Sequence, residues 1–334
     1  MAYSPPSRRR KARERGGVMH SAHVDLGPGR EFDLVRQMLE RWGALASGIG
    51  DDAAIVDLPP GERLVVSTDS SVENVHFRRA WLSPTQIAYR ATMAALSDLA
   101  AMAATPRGLL VAFTIPDRWI GEVGGLADGV GGAASDAGTL ILGGDIARGE
   151  VLGITITVLG STATPLCRDA VRPGDLIYVT GVLGGPTSAL RGLQRGETPA
   201  PAHLERFARP RARLKEGIWL AQHGAHALID ISDGLAAELR HLTVASALEI
   251  LIDTDRIPVM RGCSLPDAAG GGEEYELVVA VPHKLDVNDF ARAFATPLSE
   301  IGEAREAEIP GLVAFRGDRG VHVDLGGGHD HFRT

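Results

Sequence analysis

Apolar positions recur along this chain both in short runs and at helical spacing, and both patterns begin near residue 31. In EFDLVRQMLERW (31–42), Phe32, Val35, Met38 and Leu39 return every three or four positions, which predicts an amphipathic helix. RLVVSTD (63–69) is a short apolar run closing on small polar residues and an acid, the pattern of a strand. SPTQIAYRATMAALSDLAAMAA (83–104) predicts a long helix, with Ser83 as its N-cap and Pro84 at the first helical position. GLLVAFTIP (108–116) reads as a strand, and the Gly/Ala-rich run from Trp119 to Ala137 as a helix packed closely on a sheet. TLILGGD (139–145) and VLGITITVLG (151–160) are further strands.

Polar and turn residues at 161–174 mark a boundary, after which the style repeats. RPGDLIYVTG (172–181), ALIDISDG (227–234), LEILID (248–253) and EYELVVAVP (274–282) supply strands between helices, and the chain closes on GGGHDHF (326–332). Strands and helices mix in both halves, so the fold class is α/β (or α+β). At 334 residues the chain exceeds what a single core usually organises. Two domains are expected, 31–163 and 170–334, preceded by a basic tail at 1–30. MAYSPPSRRRKARERGG (1–17) has no apolar periodicity and reads as disordered, with Met19 as an alternative start.

Charge and cysteine content narrow the classes. A net charge of -8 speaks against a nucleic-acid binder, though not against anion binding through metal ions. Cys167 and Cys263 are the only cysteines and lack partners at metal-ligand spacing, so a disulfide framework is excluded and a cytoplasmic setting fits. No apolar run approaches the roughly 18 residues of a membrane span.

Candidate chemistry lies where strands end. Thr68-Asp69, Gly144-Asp145 and Asp230-Ile231-Ser232-Asp233 each carry an acid beside Gly, Ser or Thr, and Asp51-Asp52 follows two glycines. Ligand sites in such folds form where these loops converge. Any one of these acids alone reads equally as a turn or N-cap residue; their recurrence is what points to a site. Two carboxylates about 4 Å apart repel by about 4 kcal/mol at an effective dielectric near 20, so a converging set calls for cations. Hard oxygen donors on glycine-rich turns suit Mg²⁺. Asp98, inside the helix and flanked by Ala91, Ala94, Ala95 and Met102, either faces solvent or meets such a metal. GxxxxGKS/T, HRD, DFG and HExxH are all absent, and no Ser or Cys stands in a nucleophile elbow.

GIGDDAAIV, STDSSVENVHF, LSDLAAMAATPRG, LILGGD, RPGDLIYVTG, LIDISDGLAAELRHL, GGEEYELVVAVP and GHDHF occur in the order found in one family. On these stretches the chain resembles the thiamine-monophosphate kinases, within the superfamily of aminoimidazole-ribonucleotide synthetase-like ATP enzymes. The resemblance implies transfer of the γ-phosphoryl of ATP to thiamine monophosphate, direct and in line, with several Mg²⁺ ions and a homodimer formed through the N-terminal sheets. It implies Asp52, Ser67, Thr68, Asp69, Asp98, Asp145, Asp230 and Asp233 as metal ligands. Gly144, Asp145, Arg168 and Ser232 then contact nucleotide, and His76, Glu273 and His329 contact substrate. Arg168 also makes independent sense, because its fork pairs well with phosphate oxygens. The chain departs from the family pattern at Ala95, Ile146, Ala147, Glu274 and His329. Two alternatives stay open: a related ATP-using enzyme acting on another substrate, and a non-catalytic paralogue that binds nucleotide and magnesium.

Overall fold

The computed structural model describes residues 28–307 and 311–317. Most of the expected basic tail, and His329 with the GHDHF stretch, lie outside the described residues.

The first half builds one four-stranded sheet. Helix α1 (Arg30–Trp42) precedes strand β1 (Arg63–Val72), helix α2 (Pro84–Ala101) and strand β2 (Thr105–Ile115). Helix α3 (Val123–Ala137) and strands β3 (Ile141–Arg148) and β4 (Gly153–Thr162) follow. The strand order is β1-β4-β2-β3, with β2 and β3 parallel and the other pairs antiparallel. α2 starts as its sequence predicts: the Gln86 N–H donates to Ser83 Oγ at 3.3 Å, and the Ser83 N–H donates to Gln86 Oε1 at 3.0 Å. The Trp119–Ala137 run divides, with a 3₁₀ turn over Asp117–Glu122 ahead of α3.

α1 differs from its expected face. Met38, Leu39 and Trp42 are buried, whereas Phe32 is 37% exposed. The helix meets α3 through its C-terminal end, where Trp42 Nε1 donates to the Ala127 carbonyl and Arg41 pairs with Asp128. Its first turn therefore projects beyond the layer it packs on.

The second half supplies a six-stranded sheet in the order β10-β7-β9-β5-β8-β6. These are β5 (Leu176–Thr180), β6 (Ala227–Asp230), β7 (Glu249–Asp253), β8 (Leu277–Val281), β9 (Leu298–Arg305) and β10 (Val313–Arg316). Among the described strands of this sheet, only β10 with β7 is parallel. The helices are α4 (Gly185–Gln194), α5 (Pro201–Ala208), α6 (Leu214–Gln222), α7 (Leu235–Ser246), α8 (Leu265–Gly270) and α9 (Val287–Phe294). Strand alternation divides the apolar side chains between two cores. Ile177, Val179, Val278 and Ala280 pack with α7 and α8, while Tyr178, Leu277, Val279 and Val281 share a core that runs on into the first half. The two halves meet closely where α2 crosses α6. A Cβ on Gly217 would lie 2.3 Å from the Ala100 carbonyl oxygen, so only glycine permits this approach. That contact sets α2 between the two sheets, and α2 carries part of the site.

Candidate functional site

The candidate site opens where β1, α2 and β6 come together. Ser67 and Asp69 share one face of β1 by strand alternation, and that face looks toward α2, because Ser67 Oγ donates to Asp98 Oδ2. Ser97, next to Asp98, reaches the other sheet: its Oγ donates to Asp230 Oδ2 at 2.7 Å. Two adjacent residues of α2 thus tie a serine of the first sheet and an acid of the second to the same helix.

Electrostatics bear the marks of this crowding. Burial, reinforced by the Asp98 charge, pushes the Asp69 carboxyl up to about 6. Burial and the same Asp98 charge push Asp230 up to about 7. Asp98 itself is raised by burial, with the Ser67 hydroxyl and the Arg168 guanidinium working in the opposite direction. Arg168, though exposed, therefore stands near enough to act on the cluster. These half-buried oxygen donors, costly to ionise together, have the chemistry of a Mg²⁺ site. Among the described residues no group of three His, Cys, Asp or Glu side chains is placed to hold a metal ion by itself. An open set fits Mg²⁺, which keeps several waters and is held by one or two carboxylates plus substrate phosphates.

Beside the cluster is a cavity of about 480 Å³, lined by Asp69, Asp98, Asp230, Asp233, Ser232, His76 and Glu273 among others. The loop after β1 brings His76 in, and His76 Nδ1 accepts from the Val72 N–H at 3.1 Å, which sets its tautomer. The Asp230–Asp233 loop and the Gly271–Glu276 loop are zipped together by main-chain bonds. The Glu273 N–H donates to Ser232 O at 2.7 Å, Tyr275 N–H to Ile231 O at 2.9 Å, and Ile231 N–H to Glu276 O at 2.8 Å. Glu238 on α7 anchors the first loop, accepting from Ser232 Oγ and from the Asp233 N–H.

Several expected residues stand apart. The Thr68 side chain faces the opposite side of β1, where its Oγ1 pairs with Thr157 Oγ1 at 3.0 Å, so the structure does not bring this hydroxyl to Asp98. Asp52 is exposed in a bend, with its N–H on the Asp51 carboxylate, and no hydrogen bond or ion pair joins it to the cluster. Asp145 is exposed on β3, after Gly144, which lies against Val111 of β2. A Cβ on Gly144 would stand 1.8 Å from the Val111 carbonyl oxygen, so a side chain there would force the strands apart.

The sequence reading passed over Arg90, Trp81 and Tyr275, which also line the cavity. Arg90 carried a usable signal, being a full charge among Ala88, Tyr89 and Ala91 on the buried side of α2. Tyr275 gave none, because a tyrosine entering an apolar strand reads as core.

Two family descriptions match the two halves of the chain. Residues 50–162 match the family described as AIR synthase related protein, N-terminal domain, and residues 172–314 match its C-terminal domain. The fold is thus that of an AIR synthase related protein. Thiamine-monophosphate kinase of Salmonella typhimurium is 35% identical over 327 residues, covering 91% of this chain and 98% of that protein. The crystal structure of thiamine-monophosphate kinase from Stenotrophomonas maltophilia K279a superposes with a TM-score of 0.76 at 29% identity, covering 88% of this chain and 98% of that one. A structure described as AaThiL complexed with AMPPCP and TMP gives a TM-score of 0.72 at 28% identity, over 90% and 96% of the two chains. The chain belongs to the thiamine-monophosphate kinase family.

Proposed function

We propose that this chain phosphorylates thiamine monophosphate to thiamine diphosphate with ATP, as a Mg²⁺-dependent step of thiamine biosynthesis in the cytoplasm. One observation carries the reading. Asp69 and Asp98 from the first half meet Asp230 from the second at the rim of a cavity shared with His76 and Glu273.

The acceptor is a phosphate oxygen, largely ionised at neutral pH because a phosphomonoester has its second pKa near 6. No general base and no protein nucleophile are then needed, in agreement with the absence of both motifs. Catalysis rests on holding two polyanions in line and balancing their charge. Magnesium, when bound, supplies that charge balance and orients the phosphate oxygens. Asp69, Asp98 and Asp230, which line the cavity, and Ser67, bonded to Asp98, are the proposed ligands. Asp233, which lines the same cavity, joins them, and Asp52, Thr68 and Asp145 do so on family resemblance alone. Arg168, Gly144, Asp145 and Ser232 take the nucleotide side, and His76, Glu273 and His329 the thiamine side.

The active species in this reading is a homodimer. The face of the first sheet turned away from α2 leaves Leu64 50% and Val66 54% exposed, which is where a second copy would pair.

Purified protein with ATP, MgCl₂ and thiamine monophosphate should yield thiamine diphosphate and ADP in equal amounts, with no product after chelation. Turnover of ATP without thiamine diphosphate would overturn the assignment of substrate.

A further inference from the structure

We infer that Arg90 is a positioning residue of this cavity, a cross-brace that holds the His76 loop and the Glu273 loop at a fixed separation. It is only 6% exposed, yet it lines the cavity from the buried side of α2. Its Nη1 donates to the His76 carbonyl oxygen at 3.2 Å, and its Nη2 pairs with Glu273 Oε1. The guanidinium lies over the Phe207 ring, 4.2 Å from the centroid, so the plane of the fork is fixed from a third side. Its Nε is buried without a hydrogen-bond partner among the described residues.

The two terminal nitrogens are both committed to other partners. One grips the loop from the first half, the other the loop from the second. The loop at Glu273 needs such a grip. Glu273 has φ +63° and Tyr275 φ +53°, left-handed conformations that are strained for a non-glycine residue. Such a segment keeps its shape only when its surroundings over-determine it. By engaging Oε1, Arg90 also leaves Glu273 Oε2 as the acceptor for a donor on the ligand. Lysine could not replace this brace, since a single ammonium lacks the planar fork that spans both partners.

The inference rests on the proposed function for its ligand, so its test has one arm that depends on thiamine monophosphate and one that does not. In the first, Arg90→Lys and Arg90→Met are assayed against wild type. The Michaelis constant for thiamine monophosphate should rise at least 10-fold, with kcat and the ATP constant within about 3-fold. The double variant Arg90→Met/Glu273→Gln should be no worse than the poorer single variant, because the two residues act as one unit. In the second arm, amide hydrogen exchange is measured on ligand-free protein. Residues 272–276 and 74–77 should exchange at least 10-fold faster in Arg90→Met, with the rest of α2 unchanged. Unaltered exchange in both loops of a folded variant overturns the brace whatever the substrate proves to be. Faster exchange with an unchanged constant for thiamine monophosphate overturns its role in positioning the substrate site. A wild-type protein that makes no thiamine diphosphate, while the exchange prediction holds, refutes the functional reading and leaves the brace standing.

Discussion

Asp230 at the end of β6 faces Asp98 of α2 across the seam between the two sheets, and burial, reinforced by the Asp98 charge, lifts the Asp230 carboxyl to about 7. The same Asp98 also raises Asp69, so a single helical residue couples the acids of both halves. The arrangement is poor for a protein seeking stability and apt for one that must collect cations.

Asp69→Asn tests that trade. Loss of one carboxylate from the cation-collecting set should lower kcat roughly 10²–10³-fold. The melting temperature without metal should stay level or rise, because a desolvated acid beside Asp98 has been neutralised. Steady-state kinetics and a thermal melt in EDTA check both halves. Near-native turnover would remove Asp69 from the site.

A second prediction concerns pH and the buried acids of the Glu274 region. Burial pushes the Glu274 carboxyl up to about 8, with the Glu276 charge adding to the rise and Arg206 and the Gly184 N–H opposing it. Arg206 sits nearer Glu276, at 2.9 Å, than Glu274, at 3.4 Å, which suits a neutral Glu274. In the unfolded chain this group ionises near its ordinary value of 4.5. Its folded pKa is raised, so its contribution to stability is complete below 4.5 and is lost as pH rises through about 8. Glu274→Gln should therefore have a higher urea midpoint than wild type at pH 8.5, with the gap closing toward pH 5. A constant gap at both pH values would contradict this.

Gly217→Ala probes the seam itself. The added methyl would meet the Ala100 carbonyl oxygen at 2.3 Å, and separating α6 from α2 should cost about 1–3 kcal/mol. Since Ser97 and Asp98 lie one turn earlier on α2, kcat should fall as well. A denaturation midpoint equal to wild type would show that the crossing relaxes freely.

Assembly is testable without activity. Light scattering at micromolar concentration should give twice the chain mass of 35.2 kDa, and Leu64→Asp combined with Val66→Asp should halve it. A monomer for the unaltered protein would rule out pairing through this face.

An acid closing an apolar run is a local signal, yet of Asp69, Asp145 and Asp230 only Asp230 ends its strand: β1 runs past Asp69 to Val72, and β3 past Asp145 to Arg148. Asp69 and Asp230 each close an apolar run, and Asp98 betrayed itself by the small residues around it. That the Thr68 hydroxyl faces away from Asp98 was also legible, because strand alternation puts Ser67 and Asp69 on one face and the Thr68 side chain on the other. The Phe32 position was lost, since periodicity gives a helix its apolar face but not how far the neighbouring layer extends beneath it. Arg90 could be flagged only as an anomaly, because Glu273 and Phe207, which explain it, are remote in sequence. The buried pairing of Arg213 with Glu276 was equally hidden, for neither residue differs locally from a solvated charge.

α2 also works as a ruler. Arg90 and Asp98 both line the cavity and lie eight positions apart, so at about 1.5 Å per residue the helix sets them about 12 Å apart along its axis. A rigid helix cannot shorten that span to suit a smaller guest. A compound carrying only a phosphate, or only a ring, reaches one end of the gauge and leaves the other unread, so the cavity selects for molecular length before any single contact selects for chemistry.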